Sequence, residues 1–162
     1  MKTNFFLALL LIVPCLAIAD QDALTYLYEP VLSERQHAMA RRIELHARNT
    51  ELDAAISLSQ DLLDSAETLR DTDPTTYGQV MINHGILRVA GGEYELGLSI
   101  IERGMEFLEA RTNPFDEILT NSIMAKGICQ LLLGSLTDAK DTFRRAQHIT
   151  HRHKGVYNKE QL

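Results

Sequence analysis

The sequence predicts an all-α protein, a solenoid of stacked antiparallel helix pairs, and three observations lead there. Five positions echo at an interval of 42 residues: Gly85, Gly92, Gly97, Ile101 and Gly104 are answered by Gly127, Gly134, Ala139, Phe143 and Ala146. Apolar residues recur at helical spacing over long stretches, punctuated by Gly, Asn and Pro. No stretch carries the sustained alternation of a half-buried strand. Self-similarity at a period of roughly 20–50 residues marks units that cannot bury their own apolar faces and must stack on a neighbour.

The chain opens on a secretory signal. Lys2 supplies the basic start, residues 5–13 an apolar run, and Pro14 a breaker. Ala17, Ile18 and Ala19 then give the small-residue cleavage site before Asp20. The run is shorter than the roughly 20 apolar residues of a spanning helix, so no membrane span is expected after cleavage; an uncleaved anchor is the alternative. Cys15 does not make a lipoprotein signal, because Pro14 stands where a small residue is needed. The expected destination is the periplasm, across the inner membrane.

Residues 20–32 form an N-terminal lead-in, in which 22–29 predict a short helix before Pro30. The repeat domain follows over 33–162. Its first unit, 33–74, pairs a helix over 33–48 with another over 51–70. Ser33 is the expected N-cap of the first, and Gln36 three residues on completes a capping-box pattern. Asn49 and Thr50 make the turn, and Pro74 ends the pair because its ring cannot continue a helix. The second unit, 75–115, pairs 76–90 with 93–111 across Gly91 and Gly92. The third, 116–157, pairs 116–133 with 136–153 across Gly134 and Ser135. A fourth begins at Asn158 and is incomplete over 158–162.

Composition excludes one class of partner. The chain carries a net charge of −6, and removal of residues 1–19, with one Lys and no acid, makes it −7. Affinity for phosphate backbones comes largely from Lys and Arg, so no nucleic acid is expected. The charge is uneven: residues 20–73 hold 5 basic and 12 acidic side chains, residues 138–162 hold 6 basic and 3 acidic. The basic end reads as a solvated face or a contact patch.

The helix pairs resemble tetratricopeptide repeats. That pattern wants a small residue in mid helix A, Gly at the turn, and then small, large and small residues along helix B. The second unit meets it with Gly85, Gly92, Gly97, Ile101 and Gly104, and with Tyr94 after the turn; the third with Gly127, Gly134, Ala139, Phe143 and Ala146. The first matches only through Ala54, Ala55 and Leu62 and is degenerate. His84 and Lys126 replace the usual Leu, and Arg88 and Gln130 a common aromatic. A 42-residue period is similar to the long repeats of kinesin light chains and of bacterial envelope proteins. The resemblance implies a right-handed superhelix whose concave face is lined by helix A. The sites on that face are Gln79, Ile82, Asn83, Ile86 and Val89, then Asn121, Met124, Ala125, Ile128 and Leu131. They are mostly apolar, which suits a hydrophobic helix or extended segment of another protein, or else a second copy or another part of the same chain.

Two features could carry other chemistry. His148, His151 and His153 cluster near the end, and imidazole is the commonest ligand for Zn or Cu. Arg144, Arg145, Arg152 and Lys154 surround them, however, and no acid or Cys completes a site. A small metal- or ligand-binding protein is therefore the alternative reading. Cys129, the one thiol left after cleavage, lies in an apolar helix and reads as a small buried hydrophobe. No spacing of Ser, His, Asp or Glu forms a catalytic motif and no Gly-rich phosphate loop is present, so neither an enzyme nor a cofactor is expected.

Overall fold

The computed structural model describes residues 23–154. The expected signal sequence and the expected start of a fourth unit lie outside them. Among the described residues seven α-helices follow one another: α1 (Glu34–Arg48), α2 (Leu52–Ser65), α3 (Leu69–Thr72), α4 (Pro74–Ala90), α5 (Tyr94–Glu109), α6 (Thr120–Leu132) and α7 (Leu136–Lys154). Single 3-10 turns at Leu24–Tyr26 and Glu117–Leu119 complete the regular structure, and no strand occurs among the described residues. The fold class is all-α.

The turns keep the 42-residue period better than the side chains suggest. Thr50, Gly92 and Gly134 all have positive φ, at 61°, 85° and 77°. Each ends helix A with the same pair of bonds: at Gly92, its N–H donates to Val89 O and Glu93 N–H donates to Arg88 O. The equivalents are Thr50 N–H to Ala47 O with Glu51 N–H to His46 O, and Gly134 N–H to Leu131 O with Ser135 N–H to Gln130 O. This left-handed cap satisfies carbonyls that the helix end would otherwise orphan. The B helices then start at Leu52, Tyr94 and Leu136, again 42 apart. The first unit is thus degenerate in composition and regular in backbone. A Thr holds a conformation that favours Gly.

Two expected helices are shorter or broken. Of the expected helix over 22–29, residues 24–29 contribute only the turn at Leu24–Tyr26, and residue 22 lies outside the described residues. The expected helix 51–70 divides into α2 and α3, with Ala66 fully buried at the break. There Gln36 Nε2 donates to Ser65 O at 3.1 Å, supplying from another helix the partner that the helix end lacks. Ser33 N–H donates to Gln36 Oε1 at 3.2 Å, the Gln half of the expected capping box.

Packing runs along the chain, α1 on α2, α2 on α4, α4 on α5, α5 on α6 and α6 on α7. Helix α4 is the hub, and thirteen of its seventeen residues are buried, so it faces two cores. Tyr77, Val80, Met81 and Leu87 join Ile43, Ala55, Ile56 and Leu62 in one. Ile82, Ile86 and Val89 join Ile101, Met105, Ile123, Cys129 and Ile149 in the other. Each buried Val, Leu, Ile or Met side chain among them contributes about 1.5–3 kcal/mol.

Helices α4 and α5 make the tightest contact, and glycine is the reason. A Cβ on Gly97 would lie 2.8 Å from Gly85 O, and one on Gly85 would lie 3.0 Å from Gly97 O. Gly78 and Gly104 face each other in the same way, each placing a Cβ 2.9 Å from the other's carbonyl oxygen. Gly78 lies outside the 42-residue echo and extends this seam by two helical turns.

Candidate interaction surface

The expected concave stripe divides into a covered half and an open half. In the second unit, Ile82, Ile86 and Val89 are fully buried and Gln79 is half-buried. The lead-in lies over them: Leu24, Tyr26, Leu27 and Tyr28 pack against that core. Asn83 holds the lead-in by its backbone. Tyr28 N–H donates to Asn83 Oδ1 at 2.7 Å, and Asn83 Nδ2 donates to Tyr28 O at 2.9 Å. The Tyr28 hydroxyl donates to Ile118 O at 2.5 Å and accepts from Ser122 N–H at 3.1 Å. Burial raises the pKa of this phenol. These bonds tie the lead-in to α4 and to the start of α6. Another part of the same chain therefore covers this half of the stripe.

Beside the lead-in lies a recess of about 620 Å³ between α1, α2 and α4, with Ser59, Asn83 and His84 among its polar lining. Ser59 and His84 are buried and bonded, Oγ to Nδ1, at 2.7 Å. The proton directions follow from the neighbours. Arg88 Nε–H, which can only donate, reaches His84 Nε2 at 3.3 Å. The Ser59 hydroxyl donates to Ile56 O at 2.7 Å. His84 Nδ1–H must then donate to Ser59, so neither ring nitrogen can take a proton from that hydroxyl. Burial and the adjacent Arg88 cation lower the His84 pKa to about 4, which keeps the ring neutral. Arg88 closes the chain on Glu93, with contacts of 2.9 and 3.0 Å. The pairing is a polar tie between α2 and α4.

The third unit is open. A groove of about 660 Å³ runs between α6 and α7, lined on α6 by Thr120, Met124 and Leu131. On α7 the apolar stripe is Leu136, Ala139, Phe143 and Ala146, with Lys140, Arg144, Gln147 and His151 alongside. Leu131 and Leu136 are 46% and 65% exposed. Of the remaining stripe residues, Asn121 is half-buried, and Ala125 and Ile128 are buried in the core. The resemblance to tetratricopeptide repeats implied that Met124 and Leu131 lie on an inner face, and the geometry joins them to α7, whose contribution to the groove the resemblance did not single out. The signal for it is the exposed pair of leucines flanking the turn at Gly134.

Packing residues at the groove differ from those of the second unit. The three atoms nearest a Cβ on Gly127 all belong to the Phe143 ring, at 2.5–2.8 Å, and none of them is backbone. Ala139 and Ala146 are buried as the register requires.

The three histidines separate. His153 Nε2–H donates to Phe115 O at 2.6 Å, His151 lines the groove, and His148 is exposed. Among the described residues no three His, Cys, Asp or Glu side chains are placed to hold a metal ion. Cys129 is fully buried, its Sγ–H donating to Tyr94 O at 3.1 Å. Burial, with Glu95 nearby, raises its pKa to about 12, so the thiol is protonated and unreactive at neutral pH.

Among the described residues no helix is long and apolar enough to cross a membrane. No family model, curated protein or solved structure matches the chain.

Proposed function

We propose that this chain is a tetratricopeptide-like scaffold, a right-handed superhelical stack of three helix pairs exported to the periplasm, that binds another protein or peptide. Three left-handed turns at a 42-residue spacing support the repeat reading. One observation carries the binding reading: the groove between α6 and α7 occupies the place in the third unit that the lead-in and α6 together fill in the second. Met124 and Leu131 correspond at 42 residues to Ile82 and Val89, and Phe143 corresponds to Ile101, all three of which are fully buried. A helix-shaped apolar surface is thus repeated, covered once and open once. Exposed apolar grooves of this kind mark interaction sites.

The test compares capture from a native envelope extract by the parent chain and by Leu136→Asp. Leu136 is mostly exposed, so the variant folds. A protein retained by the parent and lost from the variant supports the reading. Identical retention by both removes the groove from consideration as the binding surface.

A further inference from the structure

The internal helix pairs carry their own record of how a helix is accepted. Where α6 lies on α5, Lys126 Nζ meets Glu102 Oε1 at 2.8 Å. Further along α5, Glu109 Oε1 accepts from Arg145 at 2.7 Å. The surface that receives a helix in the second unit is therefore acidic at its edge. Forty-two residues on, the corresponding positions of α7 are Arg144 for Glu102 and His151 for Glu109, and Lys140 for Leu98. The edge has changed sign at the position of Glu102, has lost the acid of Glu109 and has gained Lys140, while the apolar floor is kept.

Lys140, Arg144, Gln147 and His151 are spaced by four, three and four residues, so they form one stripe along α7. Among the described residues no Asp or Glu lines the groove. Arg144 has one carboxylate partner, Asp141 at 3.2 Å. Both are more than half exposed, and Asp141 is not among the lining residues. Such exposed i,i+3 pairs are weak and exchange readily for a better-placed acid.

A second copy of this chain is the wrong occupant in this register. The helix A position that Lys126 holds in the third unit is held by Arg42 in the first. Head-to-tail stacking would carry Arg42 to Arg144, cation against cation. We infer that the α6–α7 groove accepts an amphipathic helix of a different protein. That helix has an apolar stripe flanked by Asp or Glu at two-turn spacing, matched to the edge formed by Lys140, Arg144 and His151. This inference rests on the binding reading above and adds the charge of the partner.

The experiment uses the full chain and two designed helical peptides with the same leucine stripe. One carries Glu and the other Lys at the flanking positions seven residues apart. Fluorescence anisotropy at low and at high salt gives the affinities. The Glu peptide is expected to bind about tenfold or more tightly than the Lys peptide, with a preference that shrinks as salt rises. Lys140→Glu combined with Arg144→Glu inverts the preference, and Leu136→Asp weakens both peptides.

Equal affinities for the two peptides overturn the charge assignment and leave a helix-binding groove in place. Binding of neither overturns both. Self-association of the unliganded chain, seen by light scattering and abolished by Leu136→Asp, assigns the groove to a second copy and overturns the inference. Binding that appears only after removal of residues 155–162 assigns it to the chain itself, with the same consequence.

Discussion

Replacing Gly97 by Ala should destabilise the protein, although Ala is the better helix former. Propensity alone favours Ala by about 1 kcal/mol in a helix interior. Against that, the new Cβ would lie 2.6 Å from Val89 Cγ2, 2.8 Å from Gly85 O and 3.0 Å from Val89 N. The last two are backbone atoms of α4 and cannot rotate away. Reaching ordinary contact requires the helices to part by roughly 0.6 Å, a gap that forfeits a quarter or more of each contact along the seam. Overpacking of this kind costs about 1–3 kcal/mol, and rigid neighbours put Gly97 at the upper end. The net loss is about 1–2 kcal/mol, a fall in Tm of roughly 3–10 °C for a domain of this size. Gly127→Ala is the internal control. Its nearest neighbours are atoms of the half-buried Phe143 ring, beside the open groove, so it should be neutral or slightly stabilising. Thermal melts of the two variants by circular dichroism decide the matter. A Gly97→Ala protein as stable as its parent would refute the close-approach argument.

Three further outcomes follow from the bonded groups. Tyr28→Phe removes the bonds to Ile118 and Ser122, each worth about 1 kcal/mol, and limited proteolysis should cut within residues 24–32 faster than in the parent. His84 has a folded pKa below its ordinary 6.5, at about 4. The unfolded chain therefore binds the proton first, and stability should fall as pH drops through that interval and level off below it. Urea midpoints measured across that range, compared with His84→Gln, show whether His84 is the cause, and an imidazole NMR titration near 6.5 would contradict it. Cys129 should resist a thiol reagent at pH 8 until the chain unfolds. Because its pKa is raised from 9.0 to about 12, its contribution to stability is intact below pH 9 and is lost above it.

The helices were legible because apolar spacing and breakers agree in most of the chain. Pro74, Gly92 and Gly134 mark boundaries that the backbone respects to within a few residues. The break after Ser65 was not legible, since the bond that satisfies its end comes from Gln36 on another helix. The polar departure at His84 has its partner in Ser59, a residue that sequence reasoning passed over. The covering of Ile82 and Ile86 by the lead-in was hidden for the same reason, because it depends on Asn83 meeting the backbone of Tyr28, 55 residues away. Local chemistry predicts local structure, whereas these features are set by which segments meet.

The equal conformations at Thr50, Gly92 and Gly134 make the chain divisible. Cutting after any of these turns and rejoining at another leaves the caps and the following helix starts in phase, whereas a change of one residue within a helix would rotate every later side chain by about 100°. Excising residues 93–134 would join Gly92 to Ser135 and set α4 against α7. Gly85 would then face Ala139 where it now faces Gly97, and Phe143 would stand in the place of Ile101. If the helix pairs stack as the repeat reading proposes, length would be a variable counted in whole units, open to shortening by deletion at the turns.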